Sequence, residues 1–272
     1  MAWSLPNDCV LGILGSKPEP GNLPHFREGE PRLESVSSRA AIEARPRRSI
    51  ESDGAHLKNG LVAEWGVEAA AVLQQAMLFD TLDTWDSESV LASGGRRVLV
   101  YAPSDAGHWF DALLPASFAL QPQVGGDPGQ CLQAFMSGEL EEGASRVVVI
   151  GSDSPTIDPT FVVSAFLCLE GRDLVLGPAT DGGTYLVGAR GSVPPIFDGI
   201  DWNRPNVLSQ LVDRLRDTGL SLSLLPPWYR INQPNDVRML AGHIRALRRA
   251  GLDPGIPRVE RLIDREWLAR LG

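Results

Sequence analysis

Short, wholly apolar, β-branched runs separated by stretches of helical periodicity constrain this chain more than any other feature. The first reads Cys9-Val-Leu-Gly-Ile-Leu14 and stops at Gly15, and comparable runs recur at Arg97–Ala102, Arg146–Ile150 and Asp173–Gly177. A strand without period-two alternation belongs in a sheet covered on both faces. Between the runs, apolar spacing predicts helices over roughly Val67–Trp85, Gly129–Leu140, Pro159–Leu169, Val207–Thr218 and Asn235–Arg249. Alternating strands and helices predict an α/β fold, a mainly parallel twisted sheet with helices on both sides. Ligands in such sheets bind beyond the carboxyl ends of the strands, so the loops after Leu14, Ile150 and Gly177 are where a site is expected.

Two segments break the alternation. Residues 22–56 carry Pro24, Pro31, Pro46, many charges and little apolar periodicity, which predicts a flexible insertion. Residues 256–272 place Val259, Leu262, Ile263, Trp267 and Leu271 near helical spacing. They predict an amphipathic helix docked on the body of the protein or on the partner subunit of a homodimer. At 272 residues and 43% hydrophobic the chain can bury a full core, and one large domain over 1–255 is expected.

The function classes narrow as well. A balance of 25 Lys+Arg against 34 Asp+Glu, formally -9, repels phosphates overall and argues against a nucleic-acid partner. The three cysteines, Cys9, Cys131 and Cys168, are odd in number and lack C-x-x-C spacing, which predicts free thiols in a reducing compartment and no structural zinc. No basic stretch opens a long apolar run, and nowhere do about eighteen apolar residues follow one another, so the reading is cytoplasmic, with no membrane span.

Three segments can carry chemistry. In Val147-Val-Val-Ile-Gly-Ser-Asp-Ser-Pro155 an apolar strand delivers Gly151, Ser152 and Asp153 to its own carboxyl end. A carboxylate there can bind magnesium when a nucleotide diphosphate supplies further oxygens; it can equally be a turn or helix N-cap residue. In Gly177-Pro-Ala-Thr-Asp-Gly-Gly-Thr-Tyr185, Gly182 and Gly183 after Asp181 let the backbone approach a ligand, with Thr184 and Tyr185 available to line an acceptor pocket. A hairpin turn at Asp-Gly explains the same residues, and a turn and a binding loop are not exclusive. In Arg230-Ile-Asn-Gln-Pro-Asn-Asp236 a strand ends at Asn232 and Pro234 begins a helix. That pattern is either capping alone or a way to aim the Asn232 carbonyl oxygen at the cation held by Asp153.

Together with Phe197-Asp-Gly-Ile-Asp-Trp202, these segments resemble a bacterial glycosyltransferase-like family associated with radical-SAM/selenodomain proteins and arsenosugar biosynthesis. It lies within the GT-A, or nucleotide-diphospho-sugar transferase, superfamily. The resemblance is clearest from Arg146 to Val237. It implies a three-layer α/β/α fold, with Asp153 as a metal ligand for Mg2+ or Mn2+ and Asn232 at the second ligand position. It also implies Asp181 near the acceptor, Gly182, Gly183, Thr184, Tyr185 and Trp202 on the acceptor side, and Gly151 and Ser152 against the nucleotide.

The amino-terminal part departs from the family pattern Phe-Ala-Lys-x-Pro-x-x-Gly-x-x-Lys-Thr-Arg-Leu. Here Ile13-Leu-Gly-Ser-Lys-Pro-Glu-Pro-Gly21 keeps the frame, which implies nucleotide contacts from Gly15, Ser16, Lys17, Pro18 and Gly21, with Ser16 where the first lysine would stand. The counterpart of Lys-Thr-Arg-Leu is Lys58-Asn-Gly-Leu61, whose arginine is Gly60, and a second family arginine falls on Cys131. Each hydrogen bond to a charged phosphate contributes about 1.5 to 3 kcal/mol, so two missing cations matter. Arg45, Arg47 and Arg48 in the insertion either replace them or only solvate a loop.

The resemblance thus implies metal-dependent transfer of a sugar from a nucleotide-diphospho-sugar to a small acceptor, with Asp153 and Asp181 in the catalytic machinery and Asp181 orienting or deprotonating the acceptor hydroxyl. Two alternatives stand beside it: nucleotidyl transfer from a nucleoside triphosphate, disfavoured by a loop with Lys17, Glu19 and no arginine, and a catalytically degenerate binding protein of the same fold.

Overall fold

A computed structural model describes residues 8–16, 59–87 and 95–263 of the chain. The expected insertion at 22–56 and the end of the carboxyl-terminal segment, Trp267 and Leu271 included, lie outside the described residues.

Strands β1 (Cys9–Ser16), β2 (Arg96–Ala102), β3 (Phe118–Pro122), β4 (Arg146–Gly151), β5 (Leu174–Pro178), β6 (Thr184–Arg190) and β7 (Leu222–Leu224) form one sheet in the order β3-β2-β1-β4-β6-β5-β7. β1 runs parallel to β2 and β4, β2 to β3, and β5 to β7, while β6 is antiparallel to both neighbours. The reversal follows from chain length: β5 reaches β6 through the tight turn 179–183, whereas a parallel return needs a crossover of about a dozen residues. The mainly parallel α/β sheet expected from the apolar runs is therefore what forms.

The helices are α1 (Asn59–Trp65), α2 (Val67–Asp86), α3 (Gly107–Asp111), α4 (Pro128–Glu141), α5 (Pro159–Cys168), α6 (Val207–Leu215), α7 (Pro234–Arg249) and α8 (Pro257–Leu262). Alternate residues of each central strand serve opposite layers. Leu11, Ile13, Val148 and Ile150 pack with Leu78 and Leu82 of α2 and Ala165 and Phe166 of α5. Val10, Val147 and Val149 pack with Phe135 and Met136 of α4 and Leu211 and Leu215 of α6. Burying each such side chain stabilises by about 1.5–3 kcal/mol, and both layers need it, which is why these strands are apolar throughout. Gly12 marks the closest approach, since a β-carbon there would stand 2.3 Å from the Phe135 ring.

Helix starts follow local chemistry. Asp127 accepts a hydrogen bond from the Gln130 N–H at 2.9 Å and Asp158 from the Thr160 N–H at 2.8 Å, with Pro128 and Pro159 in the first turns. α8 is tied down by a buried carboxylate: Asp80 of α2, fully buried, accepts from the Val259 N–H at 2.9 Å and from Arg258 through its backbone N–H and Nη1. Burial pushes the Asp80 carboxyl above its ordinary range despite these donors. Ile256, Val259 and Ile263 close a third cluster with Leu73 and Met77 of α2 and Leu240 and Ile244 of α7. Among the described residues no helix is long and apolar enough to cross a membrane.

Candidate functional site

The carboxyl ends of β1, β2 and β4 stop side by side: Leu14 pairs with Gly151, and Ser16 with Ala102. The Ser152 N–H donates to the Leu14 carbonyl at 3.3 Å, and the Gln123 side chain donates to the carbonyls of Val100 at 3.1 Å and Gly15 at 3.4 Å. Gly15 is fixed by packing, because a β-carbon would meet Leu99 at 2.9 Å and Leu78 at 3.0 Å. Just past β4 the Asp153 carboxylate folds back over Gly151, whose β-carbon would stand 2.5 Å from its Oδ1. The helix that follows, α5, is capped by Asp158 and not by Asp153.

The turn 179–183 presents Asp181. Gly182 sits at φ 84° and a β-carbon there would lie 1.7 Å from the Pro205 carbonyl oxygen, so only glycine fits. The Asp181 Oδ1 accepts the Gly183 N–H at 3.0 Å. Its Oδ2 accepts three donors: Arg230 Nε at 3.0 Å, Arg230 Nη2 at 2.7 Å and Asn232 Nδ2 at 2.7 Å. On its far side the Arg230 guanidinium approaches Asp153, with Nη1 to Oδ2 at 4.0 Å. Burial opposes the charge of Arg230, but the adjoining Asp153 and Asp181 carboxylates outweigh it and hold its pKa above the usual arginine value.

Backbone bonds lock this cluster to the sheet. The Ile231 N–H donates to the Asp153 carbonyl at 2.8 Å, and the buried Ser154 hydroxyl to the Tyr229 carbonyl at 3.1 Å. Gln233 is the N-cap of α7, and the Asp236 carboxylate accepts the N–H groups of Asn232 at 2.9 Å and Gln233 at 2.8 Å. Capping is thus carried by Gln233 and Asp236, and the Asn232 side chain goes to Asp181 instead.

Asp153, Asp181 and Asn232, far apart in sequence, therefore share one cluster, with Gly151, Ser152, Gly182 and Gly183 beside it, while Gly15 lies on the neighbouring strand end of β1. Ser16 closes β1, and Thr184, half-buried, opens β6. Tyr185 requires a correction. It is 2% exposed, its hydroxyl donates to the Pro226 carbonyl at 2.9 Å, and its position in β6 packs it in the core rather than at the surface of the cluster. Burial also raises its pKa well above the ordinary tyrosine value. Trp202 lies half-buried against Phe197, and a β-carbon at Gly129 would stand 2.9 Å from its Nε1. Cys131 is buried in the first turn of α4, where burial, seconded by Asp127, pushes its thiol pKa up. Lys17, Pro18, Gly21, Lys58, Arg45, Arg47 and Arg48 lie outside the described residues.

Arg230 was not among the residues expected from sequence. The strand expected to end at Asn232 does not form, but a signal was present: apolar Ile231 between two polar residues is fully buried, while Arg230 and Asn232 both reach Asp181.

Among the described residues no three His, Cys, Asp or Glu side chains form a group able to hold a metal ion. A cation would need Asp153, the Asn232 amide oxygen and ligand oxygens. Those donors fit a hard divalent ion: the Asn232 nitrogen points at Asp181, which directs its oxygen away, and two carboxylates with one guanidinium leave the cluster net negative.

Comparison with solved structures adds one decisive likeness. A protein from Desulfovibrio desulfuricans G20, provisionally named a nucleotide-diphospho-sugar transferase, superposes with TM-score 0.72 at 25% identity over 97% of both chains. The fold is that of the nucleotide-diphospho-sugar transferases. More distant matches include a homolog of Mycobacterium tuberculosis Rv0371c from Mycobacterium sp. strain JC1, with TM-score 0.46, 11% identity, 89% of this chain and 100% of that one. Another is CMP:2-keto-3-deoxy-manno-octonic acid synthetase complexed with CTP, with TM-score 0.44, 12% identity, 90% of this chain and 99% of that one. Residues 86–204 match the family described as an uncharacterized protein conserved in bacteria (DUF2064). No curated protein matches the sequence.

Proposed function

We propose that this protein transfers a sugar from a nucleotide-diphospho-sugar to a small acceptor, at the carboxyl ends of β1 and β4. The observation that supports it is the Asp153–Arg230–Asp181–Asn232 cluster beside those strand ends, in a chain that superposes over nearly its whole length on a protein provisionally named for that chemistry. The nucleotide lies against Gly15, Ser16, Gly151 and Ser152, where backbone approaches without bulky side chains. Asp153 and Asn232 hold Mg2+ or Mn2+, which when bound offsets the charge of the leaving diphosphate.

Asp181 acts here as a positioning residue. With one donor on Oδ1 and three on Oδ2, its lone pairs are largely committed to holding Arg230 and Asn232, which leaves it poorly suited to take a proton from an acceptor hydroxyl. Buried Cys9 and Cys131 accord with a reducing, cytoplasmic setting.

The test is nucleoside diphosphate release from a panel of nucleotide sugars with Mg2+ or Mn2+, alongside pyrophosphate release from nucleoside triphosphates. Release from a nucleotide sugar supports the proposal. Release of pyrophosphate alone would make the protein a nucleotidyltransferase, and no turnover together with no nucleotide-induced thermal shift would leave a degenerate fold.

A further inference from the structure

We infer that Arg230 is itself a diphosphate ligand, a fixed guanidinium that grips the diphosphate of a nucleotide directly, so that nucleotide binding persists without a divalent metal. The inference rests on the transferase reading above and gives a ligand-binding role to a residue that reading names only as part of the cluster.

The geometry divides the guanidinium into two working edges. Nε and Nη2 are both spent on Asp181 Oδ2, at 3.0 Å and 2.7 Å. Nη1 stands 4.0 Å from Asp153 Oδ2, beyond hydrogen-bond reach, and makes no hydrogen bond among the described residues. The edge formed by Nη1 and the second N–H of Nη2 therefore keeps the paired, parallel donors that match two phosphate oxygens. An arginine whose only purpose was to neutralise Asp153 would close to hydrogen-bonding distance.

The side chain is also held ready. Its side-chain exposure is 27%, enough to meet a ligand yet screened less than a surface arginine. Asp181 is clamped by the Gly183 N–H and the Asn232 amide, and Gly183 leaves the space the guanidinium occupies, since a β-carbon there would lie 2.5 Å from Nη2. The Ile231 N–H bond to the Asp153 carbonyl keeps this segment at the end of β4, and Gly60, whose β-carbon would stand 3.0 Å from the Asn232 carbonyl oxygen, sets no side chain against Asn232. Little ordering remains to be done when an anion arrives.

Calorimetric titration of the wild type, Arg230→Gln and Arg230→Lys with UDP, GDP, CDP, ADP and inorganic pyrophosphate, in Mg2+ and in EDTA, tests this. Each variant's thermal transition is recorded to confirm folding. The wild type should bind at least one nucleoside diphosphate in EDTA. Arg230→Gln should weaken that binding roughly tenfold to a hundredfold, the worth of a charged hydrogen bond or two. Arg230→Lys keeps the charge but cannot span Asp181 and a phosphate together, so it should fall between them, and it decides the matter if the glutamine variant does not fold. Affinities in EDTA equal within about twofold between wild type and folded variants, or wild-type binding that vanishes in EDTA, overturn the inference alone. A wild type that binds none of these ligands with or without Mg2+ overturns the transferase reading too.

Discussion

The backbone N–H of Ile231 donates to the carbonyl of Asp153 at 2.8 Å, and this bond, with that of the Ser154 hydroxyl to the Tyr229 carbonyl, sets the Arg230–Asn232 segment beside the carboxyl end of β4. It carries Arg230 and Asn232 into the cluster with Asp153, while Asp181, from the 179–183 turn, holds both by their side chains. Each prediction below probes a different joint of that arrangement or of the body that supports it.

Asp153→Asn should lower transfer about a hundredfold or more, because it removes the charged ligand proposed for the cation. Its ion pair with Arg230 is long, at 4.0 Å, so loss of that pair should by itself change stability by less than about 1 kcal/mol. Turnover assays paired with urea unfolding check both parts. A metal-induced thermal shift present in the wild type should be absent from the variant, and its persistence would move the metal site elsewhere.

Gly182→Ala should destabilise the fold by about 3 kcal/mol or more, through left-handed backbone strain added to a clash. The new methyl would sit 1.7 Å from the Pro205 carbonyl oxygen, and the turn would have to open, carrying Asp181 with it. Loss of stability in urea unfolding should therefore come with loss of nucleotide binding in the folded fraction.

Asp80→Ala should cost about 3–5 kcal/mol, because it strips Arg258 and the Val259 N–H of a fully buried partner. α8 should detach first, seen as faster hydrogen exchange at Val259 than in the strands. Equal exchange in wild type and variant would mean that apolar packing alone docks the helix.

Asp173 gives a pH signature. It accepts from the Ser221 hydroxyl at 2.6 Å and the Ser221 N–H at 2.8 Å, and these bonds hold its pKa below the ordinary aspartate value. A depressed folded pKa contributes stability that is present above the unfolded value and lost as pH falls through the folded one. The stability advantage of the wild type over Asp173→Asn should therefore be full at neutral pH and shrink as pH drops below the unfolded aspartate value of about 3.9. A difference that stays flat with pH would show that the carboxylate charge contributes nothing.

Much of this molecule was legible in one dimension. The apolar runs at Cys9–Leu14, Arg97–Ala102, Arg146–Ile150 and Asp173–Gly177 became β1, β2, β4 and β5, and the five predicted helices formed within a few residues of their expected ends. The half-buried edge strand β3, with Phe118 inward and Pro122 exposed, carries too weak a pattern to be seen, and β7 is only Leu222–Leu224. β6 was legible only as the return arm of the hairpin that Asp-Gly allows, because whether the chain pairs backwards after such a turn depends on which strand edge is open.

Local sequence determined the elements and their covered faces, because burial periodicity and capping act between residues a few positions apart. Only the tertiary structure decided which polar side chains meet. Asp181 and Arg230 are brought together by β5, β6 and the bond from Ile231 to Asp153, and Tyr185 is turned into the core by its register in β6. Such contacts depend on strand pairing and side-chain direction across the sheet, which no stretch of sequence specifies alone.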